Sequence, residues 1–211
     1  MKILIVGASH GTGALCVRRA LERSHEVTAF ARTPERIAFE DPMLRKLAGD
    51  FHDAQSVSRA VEGHDAVIVT ASASSLRAFR EMPDYFSRGT RHVIEAMKAK
   101  NVRRLVVLSA FFVGESRKLA NVLLRWLMVD GLLKAAFADH EVQEQLVRES
   151  GLDWVIARPT RLTNGPARDR YVKTARVEKV PSSISRADVA AFLVDSCERS
   201  EFVGKAVHLG G

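Results

Sequence analysis

The chain has little of several things, and each shortage closes a class of function. Two cysteines in 211 residues, Cys16 and Cys197, cannot build a disulfide framework; both fall in helix-like apolar patterns and read as buried thiols in a reducing compartment. No apolar run is long and clean enough to span a bilayer, since the richest, 119 to 137, is interrupted by Arg125, Asp130 and Lys134. The amino-terminal apolar run stops at Gly7, too short for a signal peptide and without a small-residue cleavage site, so a cytoplasmic protein with no membrane partner is expected. Aromatic residues are only 7% of the chain and do not interleave with its basic clusters. The net charge of +7 therefore reads as a solvated basic surface that attracts anionic ligands, with no nucleic acid as partner. There is no repeat and no segment biased enough for disorder, and one α/β domain over residues 1–211 is the working reading.

What is present is a regular alternation. Apolar runs at about 2–6, 26–30, 44–48, 65–70, 103–109 and 153–158 read as strands; helix-period segments at 12–23, 54–62, 84–100 and 138–150 read as the crossovers. Right-handed βαβ connections then give an α/β fold, a doubly wound parallel sheet of Rossmann type with helices on both faces. The last third changes character. Residues 159–184 are polar and broken by Pro166 and Pro181, the expected place for a small substrate lobe; Ser185 then caps a helix with Val189, Phe192 and Leu193 on its apolar stripe, and the chain closes in a short strand.

The first strand runs into "GASHGTG", residues 7–13. A tight strand-to-helix turn needs a residue free to take positive φ, and a diphosphate lying on the backbone leaves no room for a Cβ; Gly7, Gly11 and Gly13 supply both. The helix that follows aims its free N–H groups at the phosphates, with Ser9 and Thr12 adding hydroxyls. After the second strand comes Arg32, with Thr33 and Arg36 close by, where a site selective for NAD would place a carboxylate for the ribose 2′-hydroxyl. Either these guanidinium groups meet the 2′-phosphate of NADP(H), the cofactor this pattern favours, or they are solvated residues at a helix start.

In order and spacing, "GASHGTG", "FARTPERI", "GDFHD", "DAVIVTAS", "VVLSAF" and "VRESGLDWVIARPT" resemble the atypical short-chain dehydrogenase/reductases, and within them the NAD(P)H-binding group that includes biliverdin reductase B and the NmrA-like proteins. The resemblance covers nearly the whole chain. It implies that Asp50 and Phe51 flank the adenine, that Thr70, Ala71 and Ser72 line the ribose side, and that Pro159 and Thr160 meet the nicotinamide end. One departure stands out: where many atypical members space their glycines GxxGxxG, the middle position here is His10, and Gly11 makes the spacing GxxxGxG. His10 then lies along the diphosphate, near the 2′-phosphate, or in solvent.

Most relatives of that superfamily use a tyrosine as general acid, with a lysine four residues later. Here Tyr85 is followed at that distance by Gly89 and Tyr171 by Ala175, and the motif slid through Glu144 puts Ala136 and His140 in the two positions. The resemblance without that pair implies an NADPH-dependent reductase delivering hydride to a small conjugated acceptor (a flavin, a bilin or a quinone) whose π system spreads the added charge. A non-enzymatic NADP-sensing regulator and a dedicated isomerase or biosynthetic reductase are the alternatives. Candidate catalytic residues are Ser109, which either meets an acceptor carbonyl, relays a water proton or is satisfied by backbone, and His140. Phe111, Phe112 and Trp126 wall a flat ligand or belong to the core, and Arg161 is a partner for an acidic one. "HEVQE" falls one residue short of a zinc motif, so no metal is expected, and no G-x-S-x-G elbow marks a hydrolase. A monomer or a homodimer is expected.

Overall fold

The computed structural model describes residues 1–72, 81–119, 131 and 133–211. Trp126 and most of the apolar segment around it lie outside the described residues. The six anticipated strands form in sequence as β1 (Lys2–Val6), β2 (Glu26–Ala31), β3 (Leu44–Ala48), β4 (Ala66–Val69), β5 (Arg104–Leu108) and β6 (Asp153–Pro159). The crossovers are α1 (Gly11–Glu22), α2 (Ala54–Val61), α3 (Tyr85–Ala99) and α4 (Lys134–Arg148), and α5 (Arg186–Glu198) precedes the last strand. Three short strands interrupt the polar third, β7 (Arg161–Thr163), β8 (Val172–Thr174) and β9 (Ser183–Ser185), before β10 (Lys205–Gly210).

The sheet order is β3-β2-β1-β4-β5-β6-β10-β8, parallel throughout except β8, which pairs antiparallel with β10. A separate two-stranded sheet joins β7 and β9. Strands covered on both faces must be apolar along their whole length, and Ile3, Leu4, Ile5, Ile68, Leu105 and Ile156 are each fully buried. Burying such a side chain is worth roughly 1.5–3 kcal/mol. Alternate residues feed two cores: Ile3, Ile5 and Ile68 pack with α1 and α5, while Leu4, Val67 and Leu105 pack with α2, α3 and α4.

Local chemistry sets the helix ends. Asp53 caps α2 by accepting from the Gln55 N–H, and the Ser185 hydroxyl caps α5 by accepting from Asp188 N–H at 2.9 Å. The first turn of α1 holds no acidic residue and its N-cap, His10, makes no side-chain cap bond, so that end of the helix keeps its positive partial charge for something else. Chain order reverses between β1 and β4, and beyond the carboxyl ends of such strands the sheet opens a crevice.

Candidate functional site

That crevice is a cleft of about 340 Å³ built from four strand ends. Gly7, Ser9 and His10 follow β1, Arg32 and Arg36 follow β2, Asp50 and Phe51 follow β3, and Ala71 and Ser72 follow β4; all line it, as does Thr33. Nine residues picked from the sequence as cofactor contacts thus meet in one place. Gly11, Thr12 and Gly13 form the first turn of α1 beside it. Thr70 lies buried, its hydroxyl donating to the Val6 carbonyl at 2.9 Å. Pro159 ends β6 farther along the sheet and Thr160 follows it, the Thr160 N–H and hydroxyl both donating to the Leu209 carbonyl.

Each loop glycine has its own cause. Gly7 takes φ +85°, and a Cβ there would come within 2.6 Å of the Cα and N of Ala71. Gly13 is helical, but a Cβ would press on the Gly7 carbonyl and stand 2.6 Å from Thr70 Oγ1, so its bareness lets α1 sit tight on the strands. Gly11 has φ +58° with open space around it, apart from Arg186 Nε at 3.9 Å. Together with the uncapped first turn, these features make a cradle that fits a diphosphate.

Tyr85 also lines the cleft, a residue weighed in the sequence only as a catalytic tyrosine. Its hydroxyl donates to the Ser72 carbonyl at 3.2 Å, its ring stands 4.5 Å from that of His52 and 6.2 Å from that of Phe51, and burial above all holds its pKa up. Phe51 seats its ring where a side chain on Gly89 would be, so the glycine standing in the lysine's place makes room for the cleft's aromatic wall.

After the end of β5 begins a buried polar chain. The Ser109 hydroxyl donates to Glu144 Oε1 at 2.7 Å. Arg158, fully buried, donates through Nε to Oε1 at 2.9 Å and through its terminal nitrogen to Oε2 at 2.5 Å of the same carboxylate. Glu115 pairs with Arg158 at 3.0 Å, and His208 Nε2 lies 3.4 Å from it. Burial alone would pull the Arg158 pKa down; Glu144 and Glu115 overcome it and the pKa rises. Burial would likewise raise Glu115, but its hydrogen bond and charge contact with Arg158 hold it low.

His140, at the lysine's place on α4, is half-buried and stacked on Phe86 at 3.8 Å between ring centroids, with Nδ1 2.8 Å from the side-chain Oε1 of Gln143. Burial holds its pKa below the ordinary histidine value, so it stands neutral and cannot supply a lysine's charge. The same helix grips α3: Asp139 accepts from the Phe86 and Ser87 N–H groups, and Gln143 donates to Thr90 at 2.9 Å. Phe111 is buried edge-on against His208 at 5.3 Å, Phe112 meets it edge-on at 4.9 Å, and Arg161 is exposed at the start of β7. Among the described residues no group of three or more His, Cys, Asp or Glu could hold a metal ion, and no helix is long and apolar enough to cross a membrane.

Two of these histidines carry a pH prediction. Burial, first among the causes, lowers both His140 and His208 from 6.5. The unfolded chain therefore takes up protons near pH 6.5 that the folded chain refuses, and stability present above that pH is lost as the pH falls, by up to about 1.4 kcal/mol per pH unit for each group. Burial lowers His64 in the same way, so the melting temperature should decline from pH 7 to 5 and His208→Gln should remove about a third of that slope; an unchanged slope would remove His208 from the account.

Comparison with known proteins matches residues 7–200 to a family model described as NAD(P)H-binding. An uncharacterized chloroplastic protein of Arabidopsis thaliana is 26% identical over 99% of this chain and 76% of its own. A short-chain dehydrogenase/reductase of Veillonella parvula, solved in complex with NADP, superposes with a TM-score of 0.84 at 20% identity, covering 100% of this chain and 94% of the other. A structure described as an anaerobillin reductase from Escherichia coli O157:H7 gives a TM-score of 0.82 at 22% identity, covering 100% and 97%.

Proposed function

Since the chain belongs to the NAD(P)H-binding family, we propose that it is an NADPH-dependent reductase whose acceptor is a flavin, a bilin or a comparable conjugated molecule. When bound, the reduced nicotinamide supplies hydride. The glycine cradle and the first turn of α1 hold the diphosphate, and Phe51 and Tyr85 offer the adenine an aromatic wall. Arg32 and Arg36 meet the 2′-phosphate at the end of β2, where Arg32 takes the place that a site selective for NAD gives to a carboxylate.

The observation that carries the acceptor class is the state of the polar groups in place of the tyrosine and lysine. Ala136 has nothing to donate, His140 is neutral and stacked, and the single hydrogen of the Ser109 hydroxyl is committed to Glu144. An isolated ketone would need a strong acid at its oxygen as hydride arrives. A conjugated ring delocalises that charge and can take its proton from solvent, leaving the protein mainly to orient the two partners. The bilin-related description of the Escherichia coli structure supports this class.

The test is NADPH oxidation in the presence of free flavin, dichlorophenolindophenol or a bilin. A rate well above the enzyme-free control is expected; tight NADP binding with no such rate would replace the reductase by a cofactor-sensing regulator. Arg32→Ala should weaken NADPH binding about 10- to 100-fold, the worth of one or two charge-assisted hydrogen bonds, and leave NADH nearly unchanged. Equal loss for both cofactors in a titration would refute phosphate selection at Arg32.

A further inference from the structure

The structure assigns a second cationic contact to the cofactor, and it comes from the far end of the chain. We propose that Arg186, the first residue of α5, binds the diphosphate that NAD and NADP share; the inference rests on the cofactor lying in the glycine cradle. Three observations meet at this residue. Its Nε stands 3.9 Å from the point where a side chain on Gly11 would begin, and among the described residues no other atom outside Gly11's own turn of helix comes within 4 Å of that point. The open space over the loop thus has one side wall, and the wall is a guanidinium.

The second observation is the company it keeps. Helices α1 and α5 lie side by side and point the same way: Gly11 and Arg186 meet at their starts, and Arg23 at the end of α1 donates to Glu198 at the end of α5 at 2.9 and 2.5 Å. Two helix starts are therefore adjacent: that of α5 is capped by Ser185 and carries Asp188 in its first turn, whereas that of α1 has neither cap nor acid, so the Arg186 guanidinium stands beside one uncompensated positive end. Those two like charges repel in the absence of an anion.

The third is that no carboxylate answers it. Among the described residues Arg186 makes no ion pair; its side-chain hydrogen bond goes to the neutral amide of Asn164, whose Oδ1 accepts from a terminal nitrogen at 2.7 Å. The acidic residue of α5's own first turn, Asp188, instead accepts from the Ser185 hydroxyl and from the N–H groups of Arg168 and Asp169. Asn164 fixes the guanidinium without cancelling its charge, which is what an anion site needs. Arg32 and Arg36 then read the 2′-phosphate on one side of the cleft, while Arg186 closes over the diphosphate on the other. Because Arg186 follows the polar third directly, cofactor binding also ties that lobe to the amino-terminal half.

Titration of wild type and of Arg186→Gln with NADP⁺, NAD⁺ and adenosine 2′-monophosphate tests the assignment. Arg186→Gln should lose about tenfold to a hundredfold in affinity for both dinucleotides, by the same factor, and nothing for the monophosphate, which lacks the diphosphate. Arg186→Lys should keep part of the affinity, and Asn164→Ala should cost a few-fold. Unchanged dinucleotide affinity in Arg186→Gln, or equal weakening of the monophosphate, would overturn the proposal while leaving the cofactor reading in place. A wild-type chain that binds neither dinucleotide would overturn both.

Discussion

Replacing Glu144 with alanine should lower the stability of the fold by about 3–5 kcal/mol, because it strands a guanidinium in the core. Arg158 is fully exhausted by its surroundings: Glu144 takes two of its hydrogen bonds, and the remaining carboxylate, Glu115, is half-exposed and cannot compensate for a missing buried charge. For a chain of this length the loss corresponds to a fall of roughly 6–20 °C in melting temperature. Exchanging both members, Glu144→Leu with Arg158→Met, should recover most of it, since a buried ion pair contributes little beyond what apolar packing would. A melting shift under about 3 °C for Glu144→Ala, measured by calorimetry, would mean that water reaches this network and that it is not the closed unit described.

The second large effect is at the glycine turn. Gly7→Ala carries two costs. A side chain at φ +85° is strained by about 1–3 kcal/mol, and its Cβ meets Ala71 backbone at 2.6 Å, where overpacking adds roughly another 1–3 kcal/mol. Gly63 has φ +77° with nothing within 4 Å, so Gly63→Ala isolates the first cost. Gly7→Ala should be the less stable of the two and should also lose dinucleotide affinity, since β1 and β4 must part at the mouth of the cleft. Equal melting temperatures and intact cofactor binding in both variants would show that the approach of the two strand ends is loose.

How much of this was legible beforehand follows from where the information sits. The strands β1 to β6 announced themselves because a parallel strand covered on both faces has to be apolar at every position, as Ile3 to Val6 are. The start of α4 was placed four residues late: its N-cap is Leu133, which has no capping side chain to signal an entry. β7 to β9 gave no signal, being three residues long with exposed members such as Arg161 and Val172, and held by pairings across twenty or more residues. The antiparallel course of β8 was likewise invisible to a reading based on parallel crossovers.

The cleft was readable where one strand end brings its own residues, as with Gly7 and Arg32. It was not readable where packing brings a residue from elsewhere. Tyr85 reaches the cleft from α3, and Arg186 reaches the loop only because α5 lies on α1. Ser109 follows β5 while Glu144 and Arg158 lie on α4 and β6, and their connection depends on the rotation of α4 over two strands in register, a quantity that no local pattern encodes.

The placement of α5 and β10 bears on how the protein is made. α5 is covered along most of its length and completes the core that α1 begins, and β10 inserts between β6 and β8. A ribosome delivers the cradle first, yet the face behind it stays open and sticky until residues 186–210 clear the exit tunnel. Nascent chains stalled before that point should recruit chaperones and resist release.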